Sequence, residues 1–67
     1  MNAIDKQFIL VLAECNMNAA EAARRMMYHR NTITFRMQSI KKKTGLNPGN
    51  FYDLVKLVEM VGGEKDG

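Results

Sequence analysis

Apolar residues recur along this chain with the period of a helix, and nowhere with the period of a strand. Ile4, Phe8, Val11, Leu12 and Cys15 fall at i, i+4, i+7, i+8 and i+11, one stripe of an amphipathic helix. Asn2 stands where a cap is needed, with Asp5 three residues on to answer it, and Asn16 fits the stop. The pattern predicts a first helix over about 3–15. A second, over about 19–26, opens with Asn18 and Glu21 at capping-box spacing and continues through Ala19, Ala20, Ala22 and Ala23. Alanines carry so little bulk that another helix can approach closely.

Met27, Tyr28 and His29 form a short break before a third periodic stretch, over about 30–43. Ile33, Met37 and Ile40 recur there at i, i+4 and i+7, with Arg36 at the edge of the stripe. The opposite face carries Asn31, Thr34, Phe35, Gln38 and Lys42. Gly45 is suited to a left-handed end, and Lys41, Lys42 and Lys43 in the last turn favour the helix dipole. After the turn Leu46-Asn47-Pro48-Gly49, Asn50 and Asp53 repeat the cap spacing. Phe51, Leu54, Val55, Val58 and Val61 then make the expected buried stripe of a fourth helix, over about 51–61. Gly62-Gly63 is the expected stop, leaving 62–67 as a frayed tail. The fold expected is all-α, one four-helix domain over residues 1–61.

Length and composition bound what such a domain can be. At 67 residues there is room for one small domain with a thin core. The share of hydrophobic residues, 46%, is that of a folded domain and excludes disorder throughout. One Cys excludes a disulfide framework, and one Cys with one His cannot build a zinc site, so no metal or cofactor is expected. Cys15 lies on the apolar stripe and reads as a small core residue rather than a nucleophile. The longest apolar run, Phe8 to Ala13, is far short of a membrane span, and Asp5 beside Lys6 does not suit a signal peptide. Together with an unpaired Cys, this points to the cytoplasm.

Charge changes the picture more than composition does. The net charge of +3 conceals a segregated arrangement. Residues 1–23 hold Lys6 against Asp5, Glu14 and Glu21, a net −2. Residues 24–43 hold Arg24, Arg25, Arg30, Arg36, Lys41, Lys42 and Lys43 with no acid, a net +7. Residues 44–67 hold Lys56 and Lys65 against Asp53, Glu59, Glu64 and Asp66, again −2. A block of this kind either meets a polyanion, most often nucleic acid, or is a solvated basic face.

The order of elements decides in favour of the first. Two short helices separated by a brief turn, the second opening with polar groups inside a basic block, form a helix-turn-helix pattern. Ala23 stands where the pair would cross, while Ile33, Met37 and Ile40 lock the second helix on the first. The amino-terminal turn of the third helix is then free to enter a major groove. Arg30 can donate twice to guanine and Asn31 can pair twice with adenine. Thr32 can reach a phosphate or satisfy a free amide at the helix start, and Thr34 can meet a phosphate or a thymine methyl. Phe35 either touches a thymine methyl or packs on a neighbouring helix. Arg36 makes a structural hydrogen bond or a phosphate contact. His29 serves as a cap or a surface residue.

The string Ala22-Ala23-Arg24, Tyr28-His29-Arg30-Asn31-Thr32-Ile33, Phe35-Arg36-Met37, Ile40 and Thr44-Gly45-Leu46-Asn47, with Asp53 and Leu57, resembles a known family. It is similar to the carboxy-terminal helix-turn-helix of PucR-type bacterial regulators, among them the CdaR-like sugar-diacid and the purine-catabolism regulators, over about residues 5–60. The Fis fold, with its Asn-started, Ala-rich helix and turn, is a weaker match. The resemblance implies a transcription regulator that binds operator DNA as a homodimer, with the recognition helix at 30–43. Base contacts are expected from Arg30, Asn31, Thr34, Phe35 and Gln38. Phosphate contacts are expected from Asn18, Arg25, Tyr28, His29, Thr32, Arg36, Lys41 and Lys42.

Two departures accompany the resemblance. Met27 fills a turn position that is often Gly, so either it adopts a left-handed conformation at a cost of order 1 kcal/mol or the turn is wider. PucR-type regulators also carry long amino-terminal sensory regions, so the resemblance implies either one domain of a longer protein, with a sensory domain outside this chain, or a stand-alone relative. Ile9, Leu10, Leu57 and Met60 exceed what one core stripe uses and are expected to serve dimerisation or docking to that domain. The competing function is a helical protein-interaction module whose basic face meets an acidic partner. RNA binding lacks a platform of spaced aromatics, and an enzyme lacks a shared site for its His, Cys and carboxylates.

Overall fold

The computed structural model describes the backbone of residues 2–66 and the side chains of residues 2–62. Four helices follow in order: α1 (Ala3–Glu14), α2 (Ala19–Met26), α3 (Arg30–Thr44) and α4 (Phe51–Asp66). α1 packs against both α2 and α4, and α3 approaches α2 most closely. The shared core draws Phe8, Ile9 and Leu12 from α1, Ala22 and Ala23 from α2, Ile33 and Ile40 from α3, and Leu54, Leu57 and Val61 from α4. Cys15 is buried with them. No helix among the described residues is long and apolar enough to cross a membrane.

Each helix start is held by one side chain accepting from a backbone N–H of the first turn. Asn2 Oδ1 accepts from Asp5 at 2.8 Å, Asn18 Oδ1 from Glu21 at 3.1 Å, His29 Nδ1 from Asn31 at 3.1 Å and Asn50 Oδ1 from Asp53 at 3.2 Å. The reciprocal half of the expected capping boxes does not form, because each acid has another partner. Asp53 Oδ2 takes the Asn47 N–H at 3.0 Å, Glu21 turns to Arg24 at 2.9 Å, and Asp5 is buried.

Asp5 corrects the expected register of α1. Its side chain is fully buried, with Oδ1 3.3 Å from Arg36 Nη1 and Oδ2 3.0 Å from Lys43 Nζ. The inward face is therefore Asp5, Phe8, Ile9, Leu12 and Cys15, while Ile4 is exposed and Val11 only half-buried. Arg36 Nε is also buried and has no hydrogen-bond partner. A carboxylate taken fully out of water needs both cations, since either alone leaves one oxygen unanswered.

α4 is corrected in the same way. Leu54, Leu57 and Val61 face the core, whereas Phe51 and Val55, expected in the buried stripe, are exposed. Leu57 thus belongs to the core together with Ile9, Leu10 is half-buried against it, and of the four residues expected to form an outer patch only Met60 is exposed. The helix also runs to Asp66, five residues past the end expected at 61. Paired glycines weaken a helix by about 1 kcal/mol each without removing its hydrogen bonds, and no proline follows to end it. Gly67, the end of the expected tail, lies outside the described residues.

The turns before and after α2 share one geometry. The Met17 N–H reaches the Leu12 carbonyl at 2.9 Å and the Asn16 N–H reaches that of Ala13 at 3.1 Å, a Schellman pattern. After α2 the Tyr28 N–H reaches the Ala23 carbonyl at 2.8 Å and the Met27 N–H that of Arg24 at 3.2 Å. Asn16, Met17 and Met27 take positive φ, with Met27 at φ 58 and ψ 38. The helix-turn-helix turn is therefore tight, and a methionine occupies its left-handed position. The Met27 side chain is 92% exposed, so it makes no packing contact that would offset the strain.

Two expectations follow. Met27→Gly should raise stability by about 0.5–1 kcal/mol in urea unfolding, as relief of left-handed strain exceeds the added freedom of the unfolded chain. Asp5→Ala should lower stability by about 3 kcal/mol, because it strands the two cations that it pairs. An unchanged denaturation midpoint for Asp5→Ala would show that the buried carboxylate does not hold α1 to α3.

Candidate nucleic-acid interface

α3 presents two faces of opposite character. Ile33 and Ile40 are buried, and Met37 is half-buried against the core. Arg36 and Lys43 share this side, three residues beyond each isoleucine, and both reach inward to Asp5. Arg30, Asn31, Thr34, Phe35, Gln38, Lys41 and Lys42 are exposed. Asn31, Phe35, Gln38 and Lys42 recur at i, i+4, i+7 and i+11, so they form one outward stripe about three turns long.

The start of this helix explains what its first turn offers. His29 is the cap, and its Nδ1 accepts from the Asn31 N–H, which leaves the Asn31 side chain free to project. Thr34 is exposed and its Oγ1 donates to the Arg30 carbonyl at 3.2 Å, so its hydroxyl proton is engaged. Thr32 is half-buried with its N–H on the His29 carbonyl at 2.9 Å. Tyr28 is half-buried against the core. Neither side chain is as open as those of Arg30 and Asn31.

The cations of the basic block divide by partner. Arg36 and Lys43 are committed to Asp5, and this favours the structural alternative for Arg36, whose side chain is only 21% exposed. Arg24 pairs with Glu21, and Arg25 lies 3.5 Å from Glu14 and 3.7 Å from Glu21. Such surface pairs contribute about 0–1 kcal/mol and exchange readily for another anion. Arg30, Lys41 and Lys42 form no ion pair among the described residues, and all three lie on the outer side of α3. At the start of α2, Asn18 has its carbonyl oxygen occupied by the cap and its amide group exposed.

Phe35 is 65% exposed and stands as an apolar group in the middle of the polar stripe, outside the protomer core. The residue missed by the sequence pattern is Asp5, which sets the rotation of α3 through Arg36 and Lys43. Its signal was present: Asp5, Ile9 and Leu12 stand at i, i+4 and i+7, an acid inside an apolar stripe.

The family model of the PucR C-terminal helix-turn-helix domain matches residues 7–58, most of the chain and all of the two helices and turn just described. No curated protein matches the chain. No solved structure matches it either.

The two faces of α3 should separate under substitution. Phe35→Ala should leave the stability measured by urea unfolding within about 0.5 kcal/mol of the parent, whereas Ile33→Ala should lose about 2–4 kcal/mol. Equal losses would mean that Phe35 is part of the core.

Proposed function

The chain belongs to the PucR C-terminal helix-turn-helix family, a family of DNA-binding regulatory domains, and on that premise we propose how it binds. It recognises a specific double-stranded operator as a homodimer and regulates transcription from it, with α3 lying in the major groove. The observation that carries this reading is the division of α3, whose isoleucines and clamped cations face inward while Arg30, Asn31, Gln38, Lys41 and Lys42 face solvent. Arg30 and Asn31 sit on the first turn, the part of a recognition helix that reaches base edges. Arg30 donates to the O6 and N7 of a guanine, and Asn31 pairs with the N6 and N7 of an adenine. Thr34, Phe35 and Gln38 meet the bases that follow. Lys41 and Lys42 at the far end displace counterions from the phosphates, which supplies affinity without sequence preference.

Asn18, Arg25, Tyr28, His29 and Thr32 border this face and contact the phosphate backbone. Arg25 does so by exchanging its carboxylates for a phosphate. A sensory domain outside this chain would supply the signal, and the compartment is the bacterial cytoplasm, where the DNA lies. The role is one of binding, with no reaction assigned to the chain.

Selection of bound sites from random duplex DNA, followed by titration at several salt concentrations, tests the reading. Arg30→Ala should lose about 1–3 kcal/mol on the selected site and relax its preference at one position. Lys42→Ala should weaken all duplexes alike and flatten the salt dependence by about one unit of slope. If neither substitution changes duplex binding, α3 is not the recognition helix. Binding to an acidic protein with no duplex affinity would favour an interaction module instead.

A further inference from the structure

α4 carries a second apolar seam that the protomer leaves open. Phe51, Val55, Val58 and Gly62 recur at i, i+4, i+7 and i+11, the 4-3-4 spacing by which two helices interdigitate. Phe51 is 59% and Val55 41% exposed, while Val58 and Gly62 are half-buried. A side chain built on Gly62 would meet nothing within 4 Å, so the space beside it is open. The seam forms one wall of a groove of about 390 Å³ whose other wall is the end of α1 and the turn after it, at Ala13, Asn16 and Met17. Tyr52 packs edge-on against Phe51, with ring centroids 5.4 Å apart, beside the groove.

We propose that this face of α4 is the surface through which two copies of the chain pair, antiparallel about a two-fold axis between Lys56 and Leu57. The inference rests on the homodimer of the proposed function and names its interface. Self-complementarity is what singles out a second copy as the occupant. About that axis, Phe51 of one copy lies over Gly62 of the other, the largest seam residue against the smallest, and Val55 lies against Val58. Lys56 then falls within two residues of Glu59 of the second copy, about 3 Å along the axis. Both charges are exposed, and neither forms an ion pair within its own chain among the described residues. The groove takes no lining residue from α3, so pairing here leaves the recognition face uncovered.

Sedimentation equilibrium of the whole chain without DNA tests the interface. The parent should show a monomer–dimer equilibrium, and Phe51→Glu should weaken it by about 30-fold or more, with helicity by circular dichroism unchanged. Lys56→Glu should weaken pairing by setting two carboxylates against each other, and combining it with Glu59→Lys should restore it. Phe51→Glu should still bind a duplex holding one half-site. A monomeric parent overturns the proposal and leaves the groove to another domain. A dimer indifferent to Phe51→Glu and to the charge exchange overturns it as well. Failure of the half-site duplex to bind counts against the α3 reading alone.

Discussion

The carboxylate of Asp5 is the constraint on which the rest of the arrangement depends. It is fully buried in a domain too small to bury charge without consequence, and its two oxygens are answered by cations from one helix. Ile33, Arg36, Ile40 and Lys43 lie at i, i+3, i+7 and i+10 on α3 and so form a single inward stripe. Two contacts on that stripe, two turns apart, fix the rotation of α3 about its own axis as well as its place against α1. Isoleucines alone leave such a rotation loosely specified, because dispersion contacts are non-directional. An ion pair is not. The outward direction of Asn31, Phe35, Gln38 and Lys42 follows from what Asp5 holds on the other side.

The same contact divides the basic block by partner. Seven cations lie between residues 24 and 43, which suggests a uniformly charged face. Two of them neutralise a buried acid and two are met by surface carboxylates. Arg30, Lys41 and Lys42 remain, at the two ends of one helix. The positive charge left without a carboxylate partner is thus smaller than the local total suggests. A net charge of +3 is compatible with many other distributions of the same residues.

Economy of backbone shows in the turns. Asn16, Met17 and Met27 stand in left-handed conformations that glycine would take at less cost, and both turns around α2 close by the same pair of hydrogen bonds. Tight turns bring the alanine face of α2 against its neighbours, where Ala22 and Ala23 let the helices approach closely. In a 67-residue chain this close approach matters more than the bulk of any one side chain, since core volume is limited.

The four helices, their starts at Asn2, Asn18 and Asn50, and the left-handed Gly45 were legible in the sequence, because period and caps are local properties, while His29 stood open between a cap and a surface residue. The family was legible too, through the residues of the turn and the third helix. Which of several apolar stripes faces inward was not. Ile4, Phe51 and Val55 were expected inside and lie outside, while Ile9 and Leu57 were expected outside and lie in the core. A helix with apolar residues over more than one face satisfies several rotations equally well, and only its neighbours choose among them. The tertiary structure chose by burying a charge that a hydrophobicity pattern places in solvent: periodicity records how often a residue type recurs, whereas the burial of Asp5 depends on two cations more than 30 residues away.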